Sequence, residues 1–138
     1  MKTKMMSMVA AAAVLLAGVP AMAHHSFAAE FDANKPVKLT GVVTKIEWMN
    51  PHAYFYIDVK DEKTGQVTNW GMEMGSPNGL MRQGWTRNSL KIGDEITVSG
   101  SQAKDGSKMA NARNVTLGDG RKVFAGSNDD GAPGGAGK

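Results

Sequence analysis

The chain has 138 residues, of which 41% are hydrophobic and 21% are charged, and its formal net charge is +3. This length is enough for one small domain with a modest hydrophobic core, and too short for several domains. The chain contains no cysteine, which excludes disulfides and any thiolate chemistry, whether redox or metal-binding.

The first 23 residues have the parts of a secretory signal peptide. Lys2 and Lys4 give a positive start, an apolar run occupies 5–19, and Ala-Met-Ala at 21–23 forms a cleavage site. We predict a signal peptide at 1–23 and a periplasmic or secreted mature protein. The alternatives are cleavage a residue or two away and a retained anchor, although the apolar run is shorter than the ~20 residues that a membrane span needs. We expect no membrane span after cleavage.

Removal of this leader changes the charge balance. Two of the 16 Lys and Arg lie in the leader, whereas all 13 acidic residues lie beyond it, so the mature charge is 14 minus 13, or +1. Nucleic-acid binding depends on a basic surface, so we expect no nucleic-acid partner.

Residues 24–36 are predicted to form an N-terminal arm, which Pro36 separates from the first strand. Within the arm, Phe27 and Phe31 either share one face of a short helix or clamp an extended segment to the domain. The first strand is predicted over 37–48, and its apolar alternation changes phase around Gly41. A glycine at a phase change indicates a bulge or bend, so this long strand is expected to contribute to two sheets.

The next elements are four strands, a short helix and a terminal stub. Clean alternation predicts a strand over 52–60, and a hairpin loop leads to a third strand over 67–74. Ser76-Pro77 is typical of a helix start, and Gly84 is typical of a helix end. The remaining strands are predicted over 95–99, 109–117 and 122–124.

This order of elements predicts an all-β fold. We expect a small OB-like β-barrel over 37–124, with five main strands and one short helix between strands three and four. An immunoglobulin-like sandwich would need about seven strands and is disfavoured. The glycine-rich segment 125–138 lacks large apolar side chains, which predicts a disordered tail.

Several segments resemble a family of small exported bacterial proteins, domain of unknown function 6152. The matching segments are HHSFAAEFD at 24–32, LTGVVTKIEWMNPHAYFYIDVKD at 39–61, NWGMEMGSPNGLMRQGW at 69–85, SLKIGDEITVSG at 89–100 and NARNVTLGDGRKVFAG at 111–126. The resemblance implies export and this architecture, and it assigns no activity. The architecture also resembles that of periplasmic OB-fold proteins, a likeness of fold that carries no chemistry.

The histidines suggest a metal site. After cleavage, His24 carries an α-amine and an imidazole, and an imidazole of His25 or His52 would complete a histidine brace. Copper(II) favours such nitrogen ligands and binds most tightly of the first-row divalent ions. We therefore predict copper as the candidate cofactor, bound by His24, His25 and His52, with an oxygen from Glu73 if strands two and three pair.

These residues also have structural interpretations. In these interpretations, His24 and His25 form a flexible N-terminal end that binds metal only adventitiously. His52 then caps the turn at 50–51. Met49, Met72 and Met74 are soft ligands suited to Cu(I), yet methionines at alternating strand positions more often fill a core.

A second hypothesis is a module that binds a peptide, a glycan or an envelope partner without metal. OB barrels bind extended ligands on the face of strands two and three. The candidate ligand-binding residues are Tyr54, Tyr56, Arg82 and Trp85. The alternative is that Trp85 packs beneath the helix and the tyrosines cover the barrel.

Hydrolase chemistry is disfavoured by the residues present. The chain has no Gly-x-Ser-x-Gly motif, no cysteine nucleophile and no His-x-x-x-His pair. We predict a non-enzymatic binding protein with no catalytic residues.

Overall fold

The structure is a computed structural model that describes residues 27–127. The predicted signal peptide, His24, His25 and most of the predicted tail lie outside these residues. The described part is mostly β-structure with two short helices, as predicted for an all-β fold. Its elements are α1 (Phe27–Glu30), β1 (Phe31–Glu47), β2 (Tyr54–Lys60), β3 (Val67–Glu73), α2 (Pro77–Arg82), β4 (Glu95–Ala103), β5 (Met109–Thr116) and β6 (Lys122–Phe124).

The six strands form one sheet that closes on itself. Their order is β3-β2-β1-β4-β5-β6, and β3 also pairs with β5 in parallel. The other neighbours are antiparallel. Five strands therefore make a hydrogen-bonded ring, and β6 attaches to the edge of β5. The pairing of β3 with β5 reduces the unpaired strand edges, which are the edges that invite aggregation. We interpret this strand order as an OB-like barrel.

The first strand begins at Phe31 rather than at 37, so Pro36 lies inside the strand instead of ahead of it. Pro36 is opposite Ser101 in the pairing with β4, next to a register shift that follows Phe31. A proline cannot donate a ladder hydrogen bond, and an irregular stretch of pairing accommodates it. Within the predicted arm, the described residues 27–36 form the short helix α1 and the start of β1.

β1 pairs with β4 along its first part and with β2 along its second part. Both pairings belong to one sheet, so the expectation that this strand contributes to two sheets is wrong. The register with β2 shifts between Val43 and Lys45, so the irregularity lies at Thr44 and not at Gly41. Gly41 has a different role, because a Cβ there would lie 2.5 Å from the backbone oxygen of Asp58. The glycine allows β1 and β2 to approach each other closely.

The main core lies inside the ring. It contains the alternating apolar residues of β2 and β3, together with residues of β1, β4, β5 and the segment around α2. Its largest fully buried side chains are Phe55, Ile57, Met72, Met74, Leu80, Val43, Val98 and Val115. A second, smaller cluster is formed by Phe27, Phe31 and Ala103, with Met109 packed against it. The rings of Phe27 and Phe31 stack at 5.8 Å and hold α1 against β4 and β5.

The helix α2 forms where the sequence predicted it. The Oγ of Ser76 accepts a hydrogen bond from the Gly79 N–H at 3.2 Å, and Pro77 opens the helix. Gly84 follows with a φ of +96°, a conformation that ends the helix and that glycine adopts without strain. The connection to β4 then runs through the buried Trp85.

Candidate functional site

Strands β2 and β3 bring His52, Tyr54 and Glu73 onto one face. Tyr54 lies directly opposite Glu73 in the strand register. His52 lies two residues before the start of β2, and its ring reaches the Glu73 carboxylate that Tyr54 also contacts. Ala53, between them, is fully buried and points into the core. The pairing of strands two and three thus produces the proximity of His52 and Glu73 on which the predicted metal site depended.

The carboxylate of Glu73 contacts both neighbours, and we call these residues the His52–Glu73–Tyr54 cluster. Its Oε1 lies 2.7 Å from Nδ1 of His52, and its Oε2 accepts a hydrogen bond from the Tyr54 hydroxyl at 2.9 Å. Glu73 is only 6% exposed, whereas the side chain of His52 is 30% exposed. A buried anion is stable when hydrogen bonds satisfy its oxygens, which these two contacts do.

The cluster lies near the first described residues of the chain. Burial raises the pKa of Tyr54 far above its usual value, and the charge and hydrogen bond of Glu73 raise it further. The charge of Glu30, at the end of α1, raises the pKa of Tyr54 in the same direction, so the two side chains interact electrostatically. The backbone N–H of Lys104 donates to the Glu30 carbonyl at 2.9 Å, which ties α1 to the end of β4.

Two of the four predicted metal ligands, His52 and Glu73, lie in the described part of the chain, and the structure brings them together. His24 and His25 lie outside it. Among residues 27–127, no three side chains of the ligand-forming types His, Asp and Glu come together as a metal-binding group.

The methionines near the cluster have different environments. Met72 and Met74 are 0% and 2% exposed and belong to the main core, so they fill the core and are not available as ligands. Met49 is 49% exposed and lies in the connection that precedes His52.

The predicted ligand-binding residues do not form one surface. Trp85 is 2% exposed and its indole N–H donates to the Phe124 carbonyl at 2.7 Å, so its predicted contact with a ligand is wrong and it is a core residue. Arg82 is exposed on the last turn of α2. Tyr54 and Tyr56 share a face of β2, and the hydroxyl of each is bound to a carboxylate.

A second polar network lies two residues further along β2. The Tyr56 hydroxyl donates to Glu47 at 3.2 Å, and Glu47 forms an ion pair with Lys45. The ammonium of Lys45 lies 5.2 Å from the centre of the Tyr56 ring. This network also joins a phenol to a carboxylate, but it contains no histidine.

A cleft that no sequence pattern predicted lies on another part of the molecule. The cleft has a volume of about 580 Å³ and lies between β1, β4 and β5, where Lys38, Ser99, Ser101 and Arg113 contribute to its lining. Arg113 is only 7% exposed, and its guanidinium lies 5.2 Å from the ring centre of Phe124. Polar residues on strands resemble ordinary solvent-facing positions, so no signal in the sequence set these four apart.

Comparison with known proteins assigns a family. Residues 11–112 match the model of a family of unknown function, DUF6152. The match covers more than half of the chain, so the chain belongs to this family. No curated protein matches it. Within residues 27–127, no helix has the length and apolar character needed to cross a membrane.

Proposed function

We propose that the mature protein is an exported, non-enzymatic copper-binding protein. His24, as the N-terminal residue, supplies its α-amine and imidazole, and His52 supplies the third nitrogen, with His25 as an additional donor. The observation that carries the proposal is the environment of His52: a partly exposed imidazole held by a buried carboxylate close to the N-terminal end of the domain.

The length of chain between the fold and His24 is compatible with a joint site, in which His24 and His52 bind the same copper ion. Phe27 is buried against the end of β4, and His24 precedes it by three residues, a length that spans at most about 10 Å. Glu30 interacts electrostatically with Tyr54, which neighbours His52 in the cluster. Two nitrogens on one metal ion lie only about 4 Å apart or less, because each bond is about 2 Å long.

The donor set favours Cu(II). Amine and imidazole nitrogens suit its tetragonal geometry, and the chain has no thiolate to favour a softer ion. The α-amine of His24 is free only if the leader is removed directly before it. Export and metal binding are therefore linked in this proposal.

Copper affinity tests the proposal directly. Mature protein that begins at His24 is titrated with Cu(II) against a chelator of known affinity, beside the same protein with one extra N-terminal alanine. We expect one tight site, weakened more than about 100-fold by the extension and by His52→Ala, since loss of a supporting group alone typically costs 10–100-fold. Asn88→Ala, an exposed loop variant, serves as the control and should match the wild type.

Weak binding that is indifferent to both changes would contradict the proposal. The second hypothesis from the sequence would then remain, in which the face of β2 and β3 binds a peptide, a glycan or an envelope partner without metal.

A further inference from the structure

We infer that Glu73 positions His52 and is not itself a copper ligand, so that Nε2 of His52 is the atom that faces the metal. The metal-binding part of this inference rests on the proposed function. The part that concerns the orientation and tautomer of His52 applies to the metal-free protein and stands independently.

Both oxygens of Glu73 already have partners. Oε1 contacts Nδ1 of His52 at 2.7 Å, and Oε2 accepts from the Tyr54 hydroxyl at 2.9 Å. The residue is 6% exposed, so neither oxygen is presented to solvent as a ligand atom would be. Direct coordination would disrupt a satisfied buried network, and a polar group left unpaired there is costly.

The contact between His52 and Glu73 selects one tautomer. An ionised carboxylate only accepts hydrogen bonds, so Nδ1 of the neutral imidazole carries the proton and donates it. Nε2 then holds the lone pair. The side chain of His52 is 30% exposed, which leaves room for a ligand at its outer edge.

This arrangement matches how proteins prepare a metal-binding histidine. The ring nitrogen that does not bind metal usually donates to a carboxylate or a carbonyl, which fixes the orientation of the ring and raises its basicity. Glu73 occupies that supporting position in a cluster that includes no second histidine or acid of the described chain.

The fold holds Glu73 firmly in place. The residue lies on β3 between two neighbouring strands, opposite Tyr54 on β2 and Asn111 on β5. Its carboxylate is held by the contacts of its two oxygens with His52 and Tyr54. Glu73 is therefore a fixed support, and His52 is the more accessible residue.

The tautomer can be measured without copper. We would record the ¹⁵N shifts of the His52 ring in metal-free mature protein, for the neutral form of the imidazole. The expected result is a protonated Nδ1 in the wild type. Glu73→Gln should remove this preference, because an amide can donate as well as accept.

The chain offers a matched control for this change. Glu47→Gln neutralises the carboxylate that accepts from Tyr56, in the network that contains no histidine. It should leave the His52 tautomer unchanged. If Glu73→Gln fails to fold, Glu73→Asp retains the charge but shortens the side chain, and it should weaken the same contact.

Copper binding then distinguishes a supporting role of Glu73 from direct coordination of the metal by Glu73. We expect Glu73→Gln to weaken Cu(II) binding about 10–100-fold, with the same number of nitrogen ligands in the EPR spectrum. Glu47→Gln should bind like the wild type.

The inference would be overturned if Nε2 of His52 carried the proton in the metal-free wild type. It would also be overturned if Glu73→Gln kept both the His52 tautomer and the Cu(II) affinity of the wild type. A protonated Nδ1 in a protein that binds no Cu(II) would support the positioning of His52 and contradict the proposed function alone.

Discussion

The chain has two tyrosines, and each donates its hydroxyl to a carboxylate. Burial raises the pKa of Tyr54 and of Tyr56, and the neighbouring Glu73 and Glu47 add to the effect. The shift is large at Tyr54, where the acceptor itself is buried. Alkaline titration of the phenols therefore reports on the hydrogen bond that also orders the His52–Glu73–Tyr54 cluster.

We predict that Tyr54 in the folded protein forms phenolate only well above pH 10, and that the pKa of Tyr56 is also raised. The unfolded chain releases its tyrosine protons near the ordinary value of 10.0, so the stabilisation from Tyr54 is complete below that pH. It is lost as the pH rises towards the higher folded pKa, because the unfolded state ionises first. Phenolate absorbance in native and denaturant-unfolded protein measures the difference.

Tyr54→Phe is the control for this titration. It should remove the later-ionising phenol and leave that of Tyr56. Two tyrosines that titrate near pH 10 in the folded wild type would contradict the buried hydrogen bond to Glu73.

The individual strands show which features a sequence pattern can predict. Alternation correctly predicted the strand β2, because this pattern depends only on the period of two along the chain. The end of β4 was not predicted, since Gly100 to Ala103 has no apolar alternation and is ordered by pairing with β1 and β5. The bulge was placed at Gly41 because glycine commonly marks bulges, whereas the structure has it at Thr44.

The close approach at Gly41 gives a prediction for this element. Gly41→Ala would place a Cβ 2.5 Å from the backbone oxygen of Asp58. Backbone atoms cannot move aside as a flexible side chain can, so we expect a loss of about 1–3 kcal/mol in the free energy of unfolding, measured by urea denaturation.

Gly118→Ala is the matched comparison. Its added Cβ would lie 3.9 Å from the nearest atom outside its chain neighbours, an ordinary contact, and its φ is not positive. We expect its stability to stay within about 0.5 kcal/mol of the wild type. Equal effects of the two substitutions would refute the role assigned to Gly41.

At the scale of the whole molecule, the pairing of β2 with β3 and the closure of the ring determine where the His52–Glu73–Tyr54 cluster lies. The parallel pairing of β3 with β5 joins segments far apart in the chain, and periodicity carries no signal for it. The sequence did predict the order of the main strands and of the helix after β3, and the approach of Glu73 to His52. It did not predict that both oxygens of Glu73 would be occupied, because that depends on Tyr54 lying directly opposite.

The central claim is that one copper ion joins the N-terminus to the folded domain through His52. The most direct measurement is the EPR spectrum of mature protein loaded with one equivalent of Cu(II), recorded for the wild type and for His52→Ala. We predict nitrogen hyperfine structure that includes the His52 imidazole in the wild type, with one nitrogen fewer in the variant. Identical spectra would show that copper is bound without His52 and would contradict the joint site.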